Sequence, residues 1–444
     1  MVSEDIDGAL GAAWHDDFPW DLLTRLCALD DRLGGGPGER RAARIVADEL
    51  DALGLDPRIE PFGMRRWTRG RTGFAVHPPD ANRREFEAIA LPYSPAADRR
   101  APLVDVGHGT PTEVEAAAVE GAIAVASTDS PAGERHTHRM EKLGHAAAAG
   151  ARGFVFHNHV RGQLPPTGAL QFDREAPIPG IGVSHETGAW LREYAAEDAE
   201  ASLRVDATTD DGESRNVVAE FGPESSSEIL VMAHYDAHDI GQGALDNGCG
   251  VAVALAATRL LADLDLDSRV RVAAVGCEEL GLLGSAALAE SLDLDRVKAV
   301  VNVDGAGRFR DLRALTHTSE AMTAVAERVA EESGQPIATA EGPHPYSDHW
   351  PFLRRGIPAL QLHSRAPDGG GEWDRGFTHT RADTRDKVDP RNLRTHAMLA
   401  ALLVRDLTTT DPPSIDTDAL RATLREAGAE PGMRAAEVWP PDWD

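Results

Sequence analysis

At 444 residues the chain is too long for one ordinary domain, and its 42% hydrophobic content can fill a full core. A formal net charge of −28 excludes nucleic acid and anionic membrane as partners, because phosphate contacts need a cationic face. No run of about 18 apolar residues predicts a membrane span, and Met1 to Asp17 shows neither a basic nor an apolar leader segment, so a cytoplasmic location is expected.

The three cysteines, Cys27, Cys249 and Cys277, are scattered without a CxxC pair, which suits a reducing compartment and excludes a disulfide framework. Cations are nearly all arginine; the only lysines are Lys142, Lys298 and Lys387. An acidic, lysine-poor surface on a normal core points to a salty cytoplasm, with an acidic protein of a high-GC mesophile as the alternative.

In chain order, Phe18 to Arg32 has helical spacing, glycines at 34–36 and 38 break it, and a second helix is expected from about Glu39 to Leu53. Arg58 to Phe62, with Pro61, reads as an edge strand. From about Trp67 to Val205 the texture changes to short apolar runs (86–91, 103–106, 122–126, 153–156, 179–183) with one clear helix, 139–149. This predicts a β-rich module within a larger α/β chain. Its histidines, 136, 138, 145, 157 and 159, lack carboxylates at ligand spacing and read as surface or loop residues. Ser214 to Phe221 reads as a strand with exposed alternation.

Three apolar runs then predict buried parallel strands, 229–233, 270–276 and 299–303, ending in His234-Tyr235-Asp236, Cys277-Glu278-Glu279 and Asp304. A glycine-rich loop carrying Asp246 precedes a helix over 251–261. Helices are also expected over 319–332 and 390–406. A glycine-rich loop from Asp368 to Gly371 leads to His379, and a weakly ordered acidic tail from Thr408 holds one candidate helix at 417–426. The boundaries expected are 1–66 and 208–406 for the α/β part, 67–207 for the inserted module and 407–444 for the tail.

Open α/β sheets place ligands at the carboxyl ends of their strands, where these side chains fall. In His234-x-Asp236 one residue can bind a metal while the other orients its ring. Asp246, in a tight turn, can bridge two metals. A bend after the strand lets one of Glu278 and Glu279 ligate while the other reaches a bound water. Asp304 and His379 would close the shells, and imidazole plus carboxylate without thiolate suits Zn²⁺, with Co²⁺ or Mn²⁺ as alternatives.

These motifs, together with Gly243-Ala244-Leu245-Asp246-Asn247-Gly248, Glu278-Glu279-Leu280-Gly281, Asn302-Val303-Asp304, Ser347-Asp348-His349-Trp350 and His379-Thr380 with Asp383 and Asp386, resemble the M28 zinc peptidases. Residues 120–126, 149–158 and 178–184 resemble a protease-associated (PA) domain. The resemblance implies a mixed, mainly parallel sheet flanked by helices, the phosphorylase/hydrolase-like zinc exopeptidase fold, with an inserted β-rich PA domain. It implies two zinc ions, one on His234 and Asp304 and the other on Glu279 and His379. Asp246 would bridge them, Glu278 would be general base and Asp236 would orient His234. Asp348 would support the site, and Tyr346 and His349 would contact substrate or the oxyanion. Asn247 departs from the acid of many relatives, with little effect expected. The activity implied is aminopeptidase on peptides. A carboxypeptidase, a small-molecule amide hydrolase, a cyclase of N-terminal glutamine and a non-catalytic receptor-like protein stay open, as does a homo-oligomer.

Overall fold

The computed structural model describes residues 2–367 and 376–444, with the side chains of 2–5 left aside. The glycine-rich loop expected at Asp368 to Gly371 lies outside the described residues. The chain divides into two compact units: residues 1–63, 213–378 and 383–422 form the first, and 64–212, 379–382 and 423–444 the second.

In the first unit the strands run in the order Ile337–Ala340, Asp311–Leu315, Ala359–Arg365, Val297–Val303, Glu228–His234, Arg269–Val275, then the end of Glu200–Phe221. Four neighbours at the centre, from Ala359–Arg365 to Arg269–Val275, are mutually parallel. Every residue of Glu228–His234 is buried, as a strand covered on both faces requires, and this is why its sequence is apolar without alternation from Ile229 to Ala233. The same covering corrects the exposed alternation expected at 214–221. Residues 214–219 are buried, and 217–221 pair antiparallel with Val270 to Ala274.

Helices Phe18–Cys27, Pro37–Ala52, Cys249–Leu261 and Pro390–Thr409 share one apolar cluster with the central strands. The stretch Ala244–Leu261 is long and apolar enough to cross a membrane by length and composition alone, and 83% of it is buried inside the fold. Helix Glu320–Ser333 closes on Gly334, whose φ of 63° is the left-handed cap that glycine adopts without cost.

The second unit holds the strands Ala97–Asp105, Ile123–Ser127, Gly153–His157 and Gly180–Val183, all parallel in sequence. Between residues 67 and 205 three helices accompany them, not one. Besides Arg139–Ala148 there are Pro111–Ala116, opened by a reciprocal capping box between Thr110 and Glu113, and His185–Ala196, capped by Ser184. Arg58 to Phe62 is only the start of a longer strand, Arg58–His77. Two of the histidines expected at the surface or in loops are buried: His138 accepts from the Met140 amide at the start of its helix, and His157 lies at the end of a fully buried strand. Lys142 is also buried, its ammonium donating to the Ser127 carbonyl, and burial pushes its pKa down to about 8. The C-terminal stretch carries helices Thr417–Glu426 and Glu430–Ala435, with Leu420, Leu424, Met433, Trp439 and Trp443 buried.

Candidate active site

The parallel register fixes the rim on which the site stands. Val275 is level with His234, and Asn302 with Met232, so the chain leaves all three strands at one height with His234, Glu278 and Asp304 side by side. The ligand-type atoms of these three residues lie within 4.8 Å of one another. His234 Nε2 faces Asp246 Oδ1 at 3.3 Å and Asp304 Oδ1 at 3.7 Å.

Asp236, fully buried, ties two strand ends together. Its Oδ1 accepts from the Glu278 amide at 3.0 Å and its Oδ2 from the Glu279 amide at 3.2 Å. The same Oδ1 stands 3.4 Å from His234 Nδ1, on the ring edge opposite the one facing Asp246. Cys277, at φ 60°, supplies the bend that lets two adjacent glutamates diverge. Glu278 turns toward His234 and Asp304, whereas Glu279 Oε2 lies 2.9 Å from His238 Nε2.

The Asp246 turn is held from several sides. Asp383 accepts from the Leu245 amide at 2.7 Å and the Asp246 amide at 3.1 Å. Arg32, buried, donates to the carbonyls of Gln242 (2.9 Å), Gly243 (2.7 Å) and Tyr235 (3.3 Å), so one guanidinium joins the loops bearing Asp236 and Asp246. Gly243 has φ 56°, and a Cβ there would stand 2.2 Å from that of Ala237, so only glycine fits. Asn247 donates to the Val303 carbonyl (2.8 Å) and accepts from the amides of Gly250 and Gly305 (3.1 Å each). An amide makes both kinds of contact; an ionised acid could only accept.

Asp304 presents Oδ1 to His234 while Oδ2 accepts from Ser347 Oγ (2.8 Å) and Gln361 Nε2 (3.4 Å). Ser347 in turn accepts from Asn302 Nδ2 at 2.8 Å. His349 is fully buried, its ring stacked on His317 at 4.2 Å and its nitrogens beside the His344 carbonyl and Asn302. It packs and hydrogen-bonds within this buried cluster. Tyr346 is half-buried with its ring edge toward His344. Asp348 is fully buried. His379 belongs to the short stretch that clusters with the second unit, where its carbonyl accepts from the Thr167 amide.

The electrostatics are those of a cation site. Burial pushes the Glu278 carboxyl well above the usual carboxylate range; His234 opposes this, while Asp348, Glu279 and Asp304 add to it. Burial raises Asp348 to about 7, with His234 opposing. Burial works against a charged His234 ring, yet the carboxyls of Glu278, Asp236, Asp246 and Asp304 hold its pKa well above the ordinary value. Carboxyls gathered so closely at low exposure repel one another, and positive charge at their focus relieves that repulsion. The donors are imidazole nitrogens and carboxylate oxygens. Their spacing of 3.3–3.7 Å is close to the roughly 3.3 Å between ligand atoms bound about 2.0–2.1 Å from one tetrahedral ion.

Sequence reasoning missed His238, Arg32 and Gln361 and gave Ser347 and Asp383 no role. Only His238, four residues beyond His234 in the same loop, carried a local signal.

Residues 216–404 match the model of peptidase family M28, and residues 99–191 match that of the PA domain. Aminopeptidase YwaD of Bacillus subtilis is 27% identical, with 83% of this chain and 79% of that protein covered. Leucine aminopeptidase 2 of Trichophyton rubrum is 28% identical over 76% of this chain and 69% of its own. Among solved structures, BSAP, a zinc aminopeptidase from Bacillus subtilis, is 25% identical with a TM-score of 0.71, covering 90% of this chain and 97% of that one. A peptidase M28 precursor from Shewanella amazonensis SB2B shares the fold at a TM-score of 0.77 and 22% identity, covering 92% and 97%. The mixed, mainly parallel sheet, the matched models and these relatives agree: the chain is an enzyme, a metallopeptidase similar to family M28 over residues 216–404 and to the PA domain over residues 99–191.

Proposed function

We propose that the enzyme is an aminopeptidase that removes N-terminal residues from peptides with a pair of zinc ions and Glu278 as general base. The observation that carries this reading is the convergence of His234, Asp246, Asp304 and Glu278 at one rim of the parallel strands. Similarity to proteins named as aminopeptidases supports the reaction class. In this reading His234 and Asp304 would hold one ion, Glu279 the other, and Asp246 both; His379 is assigned to the second ion on its motif. Co²⁺ or Mn²⁺ would satisfy the same oxygen and nitrogen donors.

Bound zinc would acidify a water and polarise the scissile carbonyl. Glu278 would take the proton of the attacking water and return it to the departing amine. Its carboxyl lies beside His234 and Asp304, within reach of a water held there. Asp236 fixes the His234 ring through Nδ1 and the turn of Glu278 through its amide, so the base and a ligand move as one piece. Ser347 and Gln361 hold Oδ2 of Asp304, which leaves Oδ1 aimed at the site.

A peptide panel with free and acetylated N-termini, read by mass spectrometry, tests the reaction class. Stepwise loss of N-terminal residues from the free set alone is expected. C-terminal trimming would make the enzyme a carboxypeptidase, and no cleavage of either set by metal-loaded protein would point to a small-molecule amide hydrolase.

We further propose that the acidic, lysine-poor surface suits a cytoplasm of high salt. Self-repulsion of a chain at −28 reaches about 10 Å at 0.1 M ionic strength and about 3 Å at 1 M. The melting temperature should therefore climb between these KCl concentrations; a flat profile contradicts the proposal.

A further inference from the structure

We propose that His238 is a ligand of the ion assigned to Glu279, giving that position an imidazole beyond the ligands carried over from the motifs. The inference rests on the two-ion reading above.

His238 and Glu279 are both nearly inaccessible, at 6% and 5% exposure, and both are held in place by their backbones. Next to His238, the Ala237 amide donates to the Arg32 carbonyl, and Arg32 itself grips the loop that follows. Glu279 is anchored through its amide to Asp236 Oδ2. The two side chains therefore meet because the loops deliver them there. His238 Nε2 and Glu279 Oε2 stand 2.9 Å apart. That matches the roughly 2.9–3.3 Å between neighbouring ligand atoms bound about 2.0–2.1 Å from one ion, with ligand angles between 90° and tetrahedral.

The pair also repeats the pattern of His234 with Asp246 and Asp304, where an imidazole nitrogen faces carboxylate oxygens at ligand spacing. Glu278 and Glu279 diverge from the Cys277 bend, so the rim has two foci of mixed nitrogen and oxygen donors, and His238 belongs to the second. An added imidazole shifts that position toward Zn²⁺ and Co²⁺ and away from Mn²⁺, which prefers oxygen.

The test compares the full-length enzyme with His238→Ala, His238→Gln and Glu279→Gln. Bound metal is counted after dialysis against graded chelator, and the Co²⁺-loaded forms are read by visible absorption. Glutamine can still hydrogen-bond Glu279, so it separates a ligand from a hydrogen-bond partner. The wild type should hold two ions. Both His238 variants should keep the first and release the second at chelator concentrations at least tenfold lower, with a changed Co²⁺ spectrum. If His238→Gln keeps both ions at wild-type chelator resistance with an unchanged spectrum, the inference is overturned and His238 is only a partner of Glu279. A wild type that never holds a second ion, with Glu279→Gln indistinguishable from it, would overturn the two-ion reading itself. Circular dichroism and retention of the first ion show that the variants are folded.

Discussion

Glu278→Gln should lower kcat by about 10²–10⁴-fold, the range supplied by a positioned general base, while leaving the metal content at the wild-type value. The substitution keeps shape and backbone. The residue-278 amide still donates to Asp236 Oδ1, and the Cys277 bend is untouched, so the new side chain sits where the carboxyl sat. What it loses is the capacity to accept a proton. Glu278 also lies within ligand reach of His234 and Asp304, which makes the metal count decisive. A variant that is slow and has two ions identifies a proton carrier. A variant that has lost an ion identifies a ligand, and one with full turnover removes Glu278 from the mechanism.

Asp246→Ala should have the largest effect of any single change. Both ions are assigned to this carboxylate, so the variant should lose metal at both positions and activity by on the order of 10³-fold or more. The fold should tolerate it. The turn is held through its backbone by Asp383 and Arg32, and Asn247 still links Val303 to Gly250 and Gly305. Removing one of several mutually repelling carboxyls also relieves strain in the apo state, so the melting temperature of metal-free protein should hold or rise. Retention of both ions at wild-type affinity would show that Asp246 does not bridge them.

The legible parts of this protein were those where local pattern and final position coincide. The strand Glu228–His234 is apolar without a break from Ile229 to Ala233 because both faces are covered, and chemistry starts where the apolar run stops. His234, Glu278 and Asp304 could thus be picked out from the ends of three such runs. What could not be read depends on contacts between distant residues. Arg32 reaches Gly243 across 211 positions, and Asp383 reaches the Asp246 amide across 137. Nothing beside Arg32 marks it as a support of the site, and Asp383 stands in the His379 motif without showing what it holds. The burial of His349 and its stack on His317 are tertiary facts that its place in the site motif does not reveal. The helix Pro111–Ala116 was missed because one buried apolar residue, Val114, makes no periodic stripe, although its Thr110-to-Glu113 capping signature was present. The C-terminal stretch was read as a tail because its buried residues, from Leu420 to Trp443, are spread among prolines and acids.

The central claim is that hydrolysis needs a pair of ions in this donor set. The most direct measurement titrates metal-free enzyme with Zn²⁺ in molar KCl and follows both bound zinc and release of the N-terminal residue from a free-amine peptide. The expected result is no turnover in the metal-free enzyme and full turnover only as bound zinc approaches two per chain. Full activity at one ion per chain, or in the metal-free protein, would contradict it.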